Sequence, residues 1–125
     1  MAEKKLLIID DDTELCMELA DSLELSGYRV DHIADPIRGF ERIKNENFYA
    51  VILDYKMTGY TGADILSMLK EAGLKPRLLM VSGRPFIEKL VGELGLMDMV
   101  DGIMSKPVDI ELLLKKLGSI NWLER

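Results

Sequence analysis

Of cysteine, histidine and tryptophan the 125-residue chain has one each. A single cysteine, Cys16, excludes an internal disulfide and a cysteine-rich zinc site; on the first helix it reads as a small hydrophobe. Positive charge is also scarce. Sixteen Lys and Arg against 22 Asp and Glu leave a net charge of −6, which argues against direct nucleic-acid binding and sets up repulsion from an anionic membrane. No apolar run approaches the length of a membrane span. Leu6 to Ile9 is too short for the apolar core of a signal peptide and stops at Asp10-Asp11-Asp12, so the expected location is the cytoplasm. Linkers, internal repeats and low-complexity stretches are missing too. The length suits one domain with a proper core, read here over residues 1–125, and is too short for two. The eight methionines are scattered like core filler, and Trp122-Leu123 reads as a packing anchor for the tail.

What the chain does contain is a series of short apolar runs that end in polar residues. Ala50-Val51-Ile52-Leu53 runs straight into Asp54, with Tyr55-Lys56-Met57 and a Thr58-Gly59-Tyr60-Thr61-Gly62 loop behind it. Unbroken apolar runs without alternation suit strands buried on both faces. Leu6-Leu7-Ile8-Ile9 ends likewise in Asp10 and Asp11, Arg77 to Val81 ends in Ser82, and Val100 to Ser105 leads into Lys106-Pro107. Tyr28 to Ile33 differs, since Arg29 and Asp31 interrupt it; charge of this kind is how sheet edges avoid unwanted pairing. Helical patterns lie between the strands. Leu15, Leu19 and Leu23 share a face closed by Gly27, with Asp12 or Thr13 as N-cap. Asp35-Pro36 opens a second helix with Ile37, Phe40 and Ile43 facing inward. Thr61 or Gly62 begins a third, with Ile65, Leu66, Leu69 and Ala72. Pro85 begins a fourth, with Ile87, Leu90, Val91 and Leu94. Asp109 caps a fifth through Leu113, Leu114 and Leu117.

Five strands alternating with five helices predict an α/β fold with a parallel sheet, right-handed crossovers and helices on both faces. The expected architecture is a flavodoxin-like, doubly wound, five-stranded sheet of order 2-1-3-4-5. That order puts the charged Tyr28 strand at an edge and makes the first and third strands neighbours at the switch point. Asp10, Asp11 and Asp54 then converge in one crevice, beside Ser82 and Lys106. Such carboxylates repel: two charges about 4 Å apart are worth roughly 4 kcal/mol at an effective dielectric near 20. A cation among them, or a retained proton, relieves the repulsion. Oxygen-only donors with open positions suit Mg2+. A metal, a lysine and a hydroxyl together are what a transferring phosphoryl group needs, and a carboxylate in their midst can be its nucleophile.

With Ile8-Ile9-Asp10-Asp11, Val51-Ile52-Leu53-Asp54 followed by Met57 and Gly62, Val81-Ser82-Gly83, and Ser105-Lys106-Pro107, the chain resembles the receiver domain of two-component response regulators over essentially its whole length. The resemblance implies that Asp54 is the phosphoacceptor and that Asp10 and Asp11 hold Mg2+, with the backbone carbonyl of Lys56 as a further ligand. It implies that Ser82 and Lys106 contact the phosphoryl group. The donor would be a histidine kinase or phosphotransfer protein, and the output a downstream effector or a fused output domain. The domain would catalyse only its own phosphorylation and dephosphorylation. His32, the one histidine, stands on the edge strand far from the crevice, which argues against this chain being a histidine phosphodonor.

Two positions depart from the family pattern. Met57 is followed by Thr58 rather than proline, which should only loosen the turn. Ile103 stands where an aromatic residue is common, so the coupling to the output face is expected to be modest and backbone-led. Lys56 and Arg84, each two residues beyond a strand-end site residue, are expected at the mouth of the crevice, where they can slow hydrolysis of an acyl phosphate. The Lys106–Pro107 bond is expected to be cis, as is usual in proteins the chain resembles. Two other functions compete with this one. A receiver-like module that binds without being phosphorylated keeps the fold but not the chemistry. A haloacid-dehalogenase-like phosphotransferase or phosphatase needs an Asp two residues after the nucleophile and a Thr two beyond that. The Asp10 run has Glu14 in place of the Thr, and the Asp54 run has Lys56 in place of the Asp.

Overall fold

The computed structural model describes residues 3–119; Trp122-Leu123 therefore lies outside the described residues. Five parallel strands form the sheet: β1 (Lys5–Ile9), β2 (Arg29–Ile33), β3 (Ala50–Asp54), β4 (Leu78–Ser82) and β5 (Gly102–Ser105). Numbered this way their order is β2-β1-β3-β4-β5, as expected. The helices between and after them are α1 (Thr13–Leu25), α2 (Pro36–Asn45), α3 (Gly62–Glu71), α4 (Ile87–Glu93) and α5 (Ile110–Ser119).

Strand pleating explains why the apolar runs do not alternate. Leu7 and Ile9 of β1, Val51 and Leu53 of β3, and Leu78 and Met80 of β4 point to one side, where Phe40, Ile43, Ile65, Leu66, Leu69, Ile87 and Val91 of α2, α3 and α4 cover them. Leu6, Ile8, Ala50, Ile52, Leu79 and Val81 point to the other, against Cys16, Leu19, Leu23, Leu113 and Leu117 of α1 and α5. Each residue of β3 is buried. With both faces covered, hydrophobic side chains are needed at every position.

The edge strand β2 places its charge where it is satisfied. Asp31 accepts from Arg42 at 2.7 Å and faces Lys5 at 3.3 Å, while Glu46 closes the group through Arg42 and Lys5 at 2.6 and 2.9 Å. His32 is exposed on the same strand. The helix caps follow the sequence: Asp12 accepts from the Leu15 N–H, Asp35 from those of Ile37 and Arg38, and Thr61 forms a capping box with Asp64.

Three boundaries differ from expectation. The fourth helix begins at Ile87 instead of Pro85, because Phe86 takes the left-handed conformation (φ 59°) and interrupts the turn. At its other end the helix stops at Glu93, so Leu94 is its C-cap and is 52% exposed. Ala72, expected on the inner face of α3, is its exposed C-cap. The fifth strand starts at Gly102, since Asp101 turns its carboxylate to accept from the Leu78 N–H at 2.8 Å. That side-chain bond stands in for a rung of the ladder.

One short feature escaped the sequence pattern. Lys56–Met57 pairs antiparallel with Tyr60–Thr61, closing the β3–α3 connection into a small hairpin around Thr58 and Gly59. Behind it Gly62 packs against the main chain. A Cβ on Gly62 would stand 3.0 Å from both the Asp54 carbonyl oxygen and the Tyr55 Cα, and 2.9 Å from Met80 Cε. Backbone on that side has little room to withdraw, so a glycine here lets α3 start directly beneath the strand end that presents Asp54.

Candidate functional site

The carboxyl ends of β1, β3, β4 and β5 open into a cavity of about 870 Å³, lined among others by Asp10, Asp11, Asp54, Ser82 and Lys106. Asp54 is the last residue of β3 and Ser82 the last of β4; both are buried, as is Asp10 just past β1. Asp11, one residue further out, is exposed. A ligand atom from each of Asp10, Asp11 and Asp54 lies within 4.8 Å of the others. The five polar residues singled out in the sequence are thus brought to one place.

Lys106 stands between the two buried carboxylates, with Nζ 3.1 Å from Asp10 Oδ2 and 3.1 Å from Asp54 Oδ1. Burial alone would pull its ammonium down, but hydrogen bonds to Asp54 and Asp10 outweigh that and raise its pKa. The Lys106–Pro107 bond is cis. Asp10 is pinned on its other oxygen by the Asp12 N–H at 2.9 Å. The Ser82 hydroxyl oxygen accepts from the Arg84 N–H at 2.9 Å. Asp11 is held from across the crevice: its Oδ2 accepts from the Thr58 N–H at 2.8 Å and from the Thr58 hydroxyl at 2.9 Å. The Thr58 N–H bond, then the hydroxyl, holds the Asp11 carboxyl below the usual carboxylate range against the opposing effect of burial.

Asp54 goes the other way. Burial, and then the charge of Asp10, push its carboxyl up to about 6, with Lys106 opposing. One lysine does not balance these carboxylates, which is the condition under which a further cation is taken up. The donors are hard oxygens only, and they fit a small divalent ion better than a soft one.

A pH dependence follows. A carboxyl whose pKa rises from 3.8 to about 6 on folding favours the folded state when protonated. Its contribution is fully present below the unfolded value and is lost as pH rises through about 6. In chelator-treated protein, the melting temperature of the parent relative to Asp54→Asn is therefore expected to fall between about pH 4 and pH 7. Scanning calorimetry of the two proteins across that range checks it; a constant difference would contradict the raised pKa.

At the rim, Lys56 and Arg84 line the same cavity and both are exposed. The Arg84 guanidinium lies over the Tyr55 ring, 6.0 Å from its centroid. Ile103 is half-buried on β5 opposite Met80 and packs against the core on the α4 side. The Thr58–Asp11 contact and the hairpin that supports it leave no mark in the sequence. Thr58 stands there only as a departure from the usual proline, and two-residue strands leave no periodic signal.

The model of the response regulator receiver domain matches residues 6–118. A receiver domain protein from Methanospirillum hungatei JF-1, described as CheY-like, is 31% identical, with a TM-score of 0.80 over 94% of this chain and 92% of that one. The CpxR homolog of Haemophilus influenzae, a transcriptional regulatory protein, is 28% identical over 93% of this chain and 49% of its own length. A Burkholderia pseudomallei response regulator, solved with a phosphorylated aspartic acid, calcium ion and citrate, shares the fold at 24% identity, with a TM-score of 0.77 over 94% of this chain and 68% of that one. The chain belongs to the response regulator receiver domain family of two-component systems. It spans about half the length of the curated relatives it matches.

Proposed function

We propose that this chain is the phosphoacceptor of a two-component relay, taking a phosphoryl group from a phosphohistidine of a kinase or phosphotransfer protein onto Asp54. The observation that carries this is the convergence of three carboxylates within 4.8 Å, with one lysine 3.1 Å from two of them. Asp10, Asp11 and Asp54, with the backbone carbonyl of Lys56, would hold Mg2+. Bound there, the ion would supply positive charge to offset that of the phosphoryl oxygens. The Asp54 carboxylate forms the new O–P bond as the P–N bond to the donor imidazole breaks, and the freed imidazole takes up a proton. Lys106 is placed to follow the charge on the phosphoryl oxygens. Ser82 can turn its hydroxyl proton to them, because its oxygen is already engaged by the Arg84 N–H. In support, a Burkholderia pseudomallei response regulator that shares the fold was solved with a phosphorylated aspartic acid and a calcium ion. The output would pass to an effector protein or a fused output domain, with the relay working in the cytoplasm.

The test is intact mass spectrometry after incubation with a small phosphodonor such as acetyl phosphate, with Mg2+ or with chelator. One phosphoryl adduct is expected with Mg2+ and little without it, and no continued turnover of phosphate esters. Sustained ester hydrolysis would favour a phosphatase instead, and no adduct in either condition would favour a module that only binds. Lys56 and Arg84 are proposed to cover the path of the water that removes the phosphoryl group. Lys56→Ala and Arg84→Ala are expected to shorten the adduct's half-life without preventing its formation. Lys56→Met, which keeps the bulk, should preserve most of it. Decay at the parent rate in both alanine variants would show that these residues do not set the lifetime.

A further inference from the structure

We propose that Thr58 is a positioning residue for the cation site, holding Asp11 by one carboxylate oxygen so that the other is free for the metal. The inference rests on the reading that Asp10, Asp11 and Asp54 hold Mg2+.

Of the three carboxylates, Asp11 has the weakest surroundings of its own. Asp10 and Asp54 are buried and each meets the Lys106 ammonium at 3.1 Å. Asp11 is exposed, at the start of the loop between β1 and α1. A free side chain there would sample several rotamers, and ordering it on metal binding would cost affinity. Thr58 orders it beforehand. Its N–H and its hydroxyl both end on the same oxygen, Oδ2, at 2.8 and 2.9 Å. Two donors fill the lone pairs of that atom and leave Oδ1 for a cation.

The donors are themselves held. Thr58 is the first residue of the two-residue turn that closes the hairpin, with Met57 paired to Tyr60 and Lys56 to Thr61. Gly59, next in the turn, has φ 80°, a conformation that favours glycine. Below it, the Gly62 N–H bonds to the Tyr55 carbonyl. The turn is thus tied to the strand end that presents Asp54, and the tether joins two loops 47 residues apart in sequence. Outer partners that orient a ligating side chain are typically worth about 10–100-fold in metal affinity.

Proline at position 58 would keep the turn, since it suits the first position before a positive-φ glycine, yet it lacks both donors. Valine keeps the shape and the N–H but not the hydroxyl; serine keeps both donors. Calorimetric titration of Mg2+ into the parent, Thr58→Ser, Thr58→Val and Thr58→Pro, with thermal melting of each metal-free protein as a check on folding, tests the proposal. Expected are near-parent affinity for Thr58→Ser, a several-fold loss for Thr58→Val and a loss of about 10-fold or more for Thr58→Pro. Folded Val and Pro variants that bind Mg2+ as tightly as the parent, or more tightly, would overturn the tether while leaving the cation site intact. If Thr58→Pro fails to fold, the Thr58→Val comparison decides alone. A parent that binds no Mg2+ would overturn the cation site and the tether together.

Discussion

Asp54→Asn is expected to gain no phosphoryl adduct under conditions that load the parent. The substitution preserves shape in a site where the residue is only 5% exposed, so the β3 end and its neighbours should stay in place. It replaces an anionic oxygen with a neutral amide, which is a poor nucleophile toward phosphorus. It also removes one of the three carboxylates, so Mg2+ affinity should fall with it. Intact mass measured on both proteins after the same treatment separates the outcomes. An adduct on Asp54→Asn as strong as on the parent would place the acceptor elsewhere and sink the assignment.

The second large effect is expected at Lys106. Its ammonium is shared between Asp10 and Asp54, each within 3.1 Å. Lys106→Met keeps most of the stem and removes the charge, leaving two buried carboxylates facing each other. Breaking a buried pair this way typically costs about 3–5 kcal/mol; the lysine side chain is 25% exposed, which favours the lower end. Lys106 opposes the upward shift of Asp54, so without it Asp54 should hold its proton to higher pH. The variant is therefore expected to regain stability as pH falls, and to be weakest at neutral pH without metal. Urea unfolding at about pH 5 and pH 7.5 measures this. Phosphoryl uptake should slow by about 10²-fold, the usual cost of losing one preorganised electrostatic partner. Equal stability at both pH values and unaltered uptake would refute the bridging role.

Most of the fold was legible because it rests on patterns that survive packing. Leu6–Ile9, Ala50–Leu53 and Leu78–Val81 are apolar at every position, and that only makes sense between two layers of helices. The helix starts after Asp12, Asp35 and Thr61 were readable to within a residue because a short polar side chain before an amphipathic run has one common use. The site residues were legible for a topological reason: a parallel sheet brings strand ends together, so Asp10, Asp54, Ser82 and Lys106 meet although they are distant in sequence. What failed to show was geometry set by single residues. Pro85 looked like the first residue of a helix, but the left-handed Phe86 after it delays the helix to Ile87. Val100 looked like strand until Asp101 used its side chain to bond β4. The Thr58–Asp11 contact crosses between two loops, and nothing in either loop's own sequence announces it.

Cys16 offers a use unconnected with signalling. Its thiol is fully buried beneath the acidic crevice, its sulfur donating to the Asp10 carbonyl at 3.5 Å, and burial pushes its pKa up to about 12. In the closed protein it is therefore inert to alkylating reagents. It is also the sole thiol in the chain, so every alkylation event records one moment when α1 has lifted from the sheet. At a gentle excess of reagent, the rate of labelling becomes a stopwatch set by the fraction of time the helix is open. Because the helix begins next to Asp10 and Asp11, any ligand that clamps the β1–α1 loop should slow the stopwatch, and the slowing can be read without a single isotope or fluorophore.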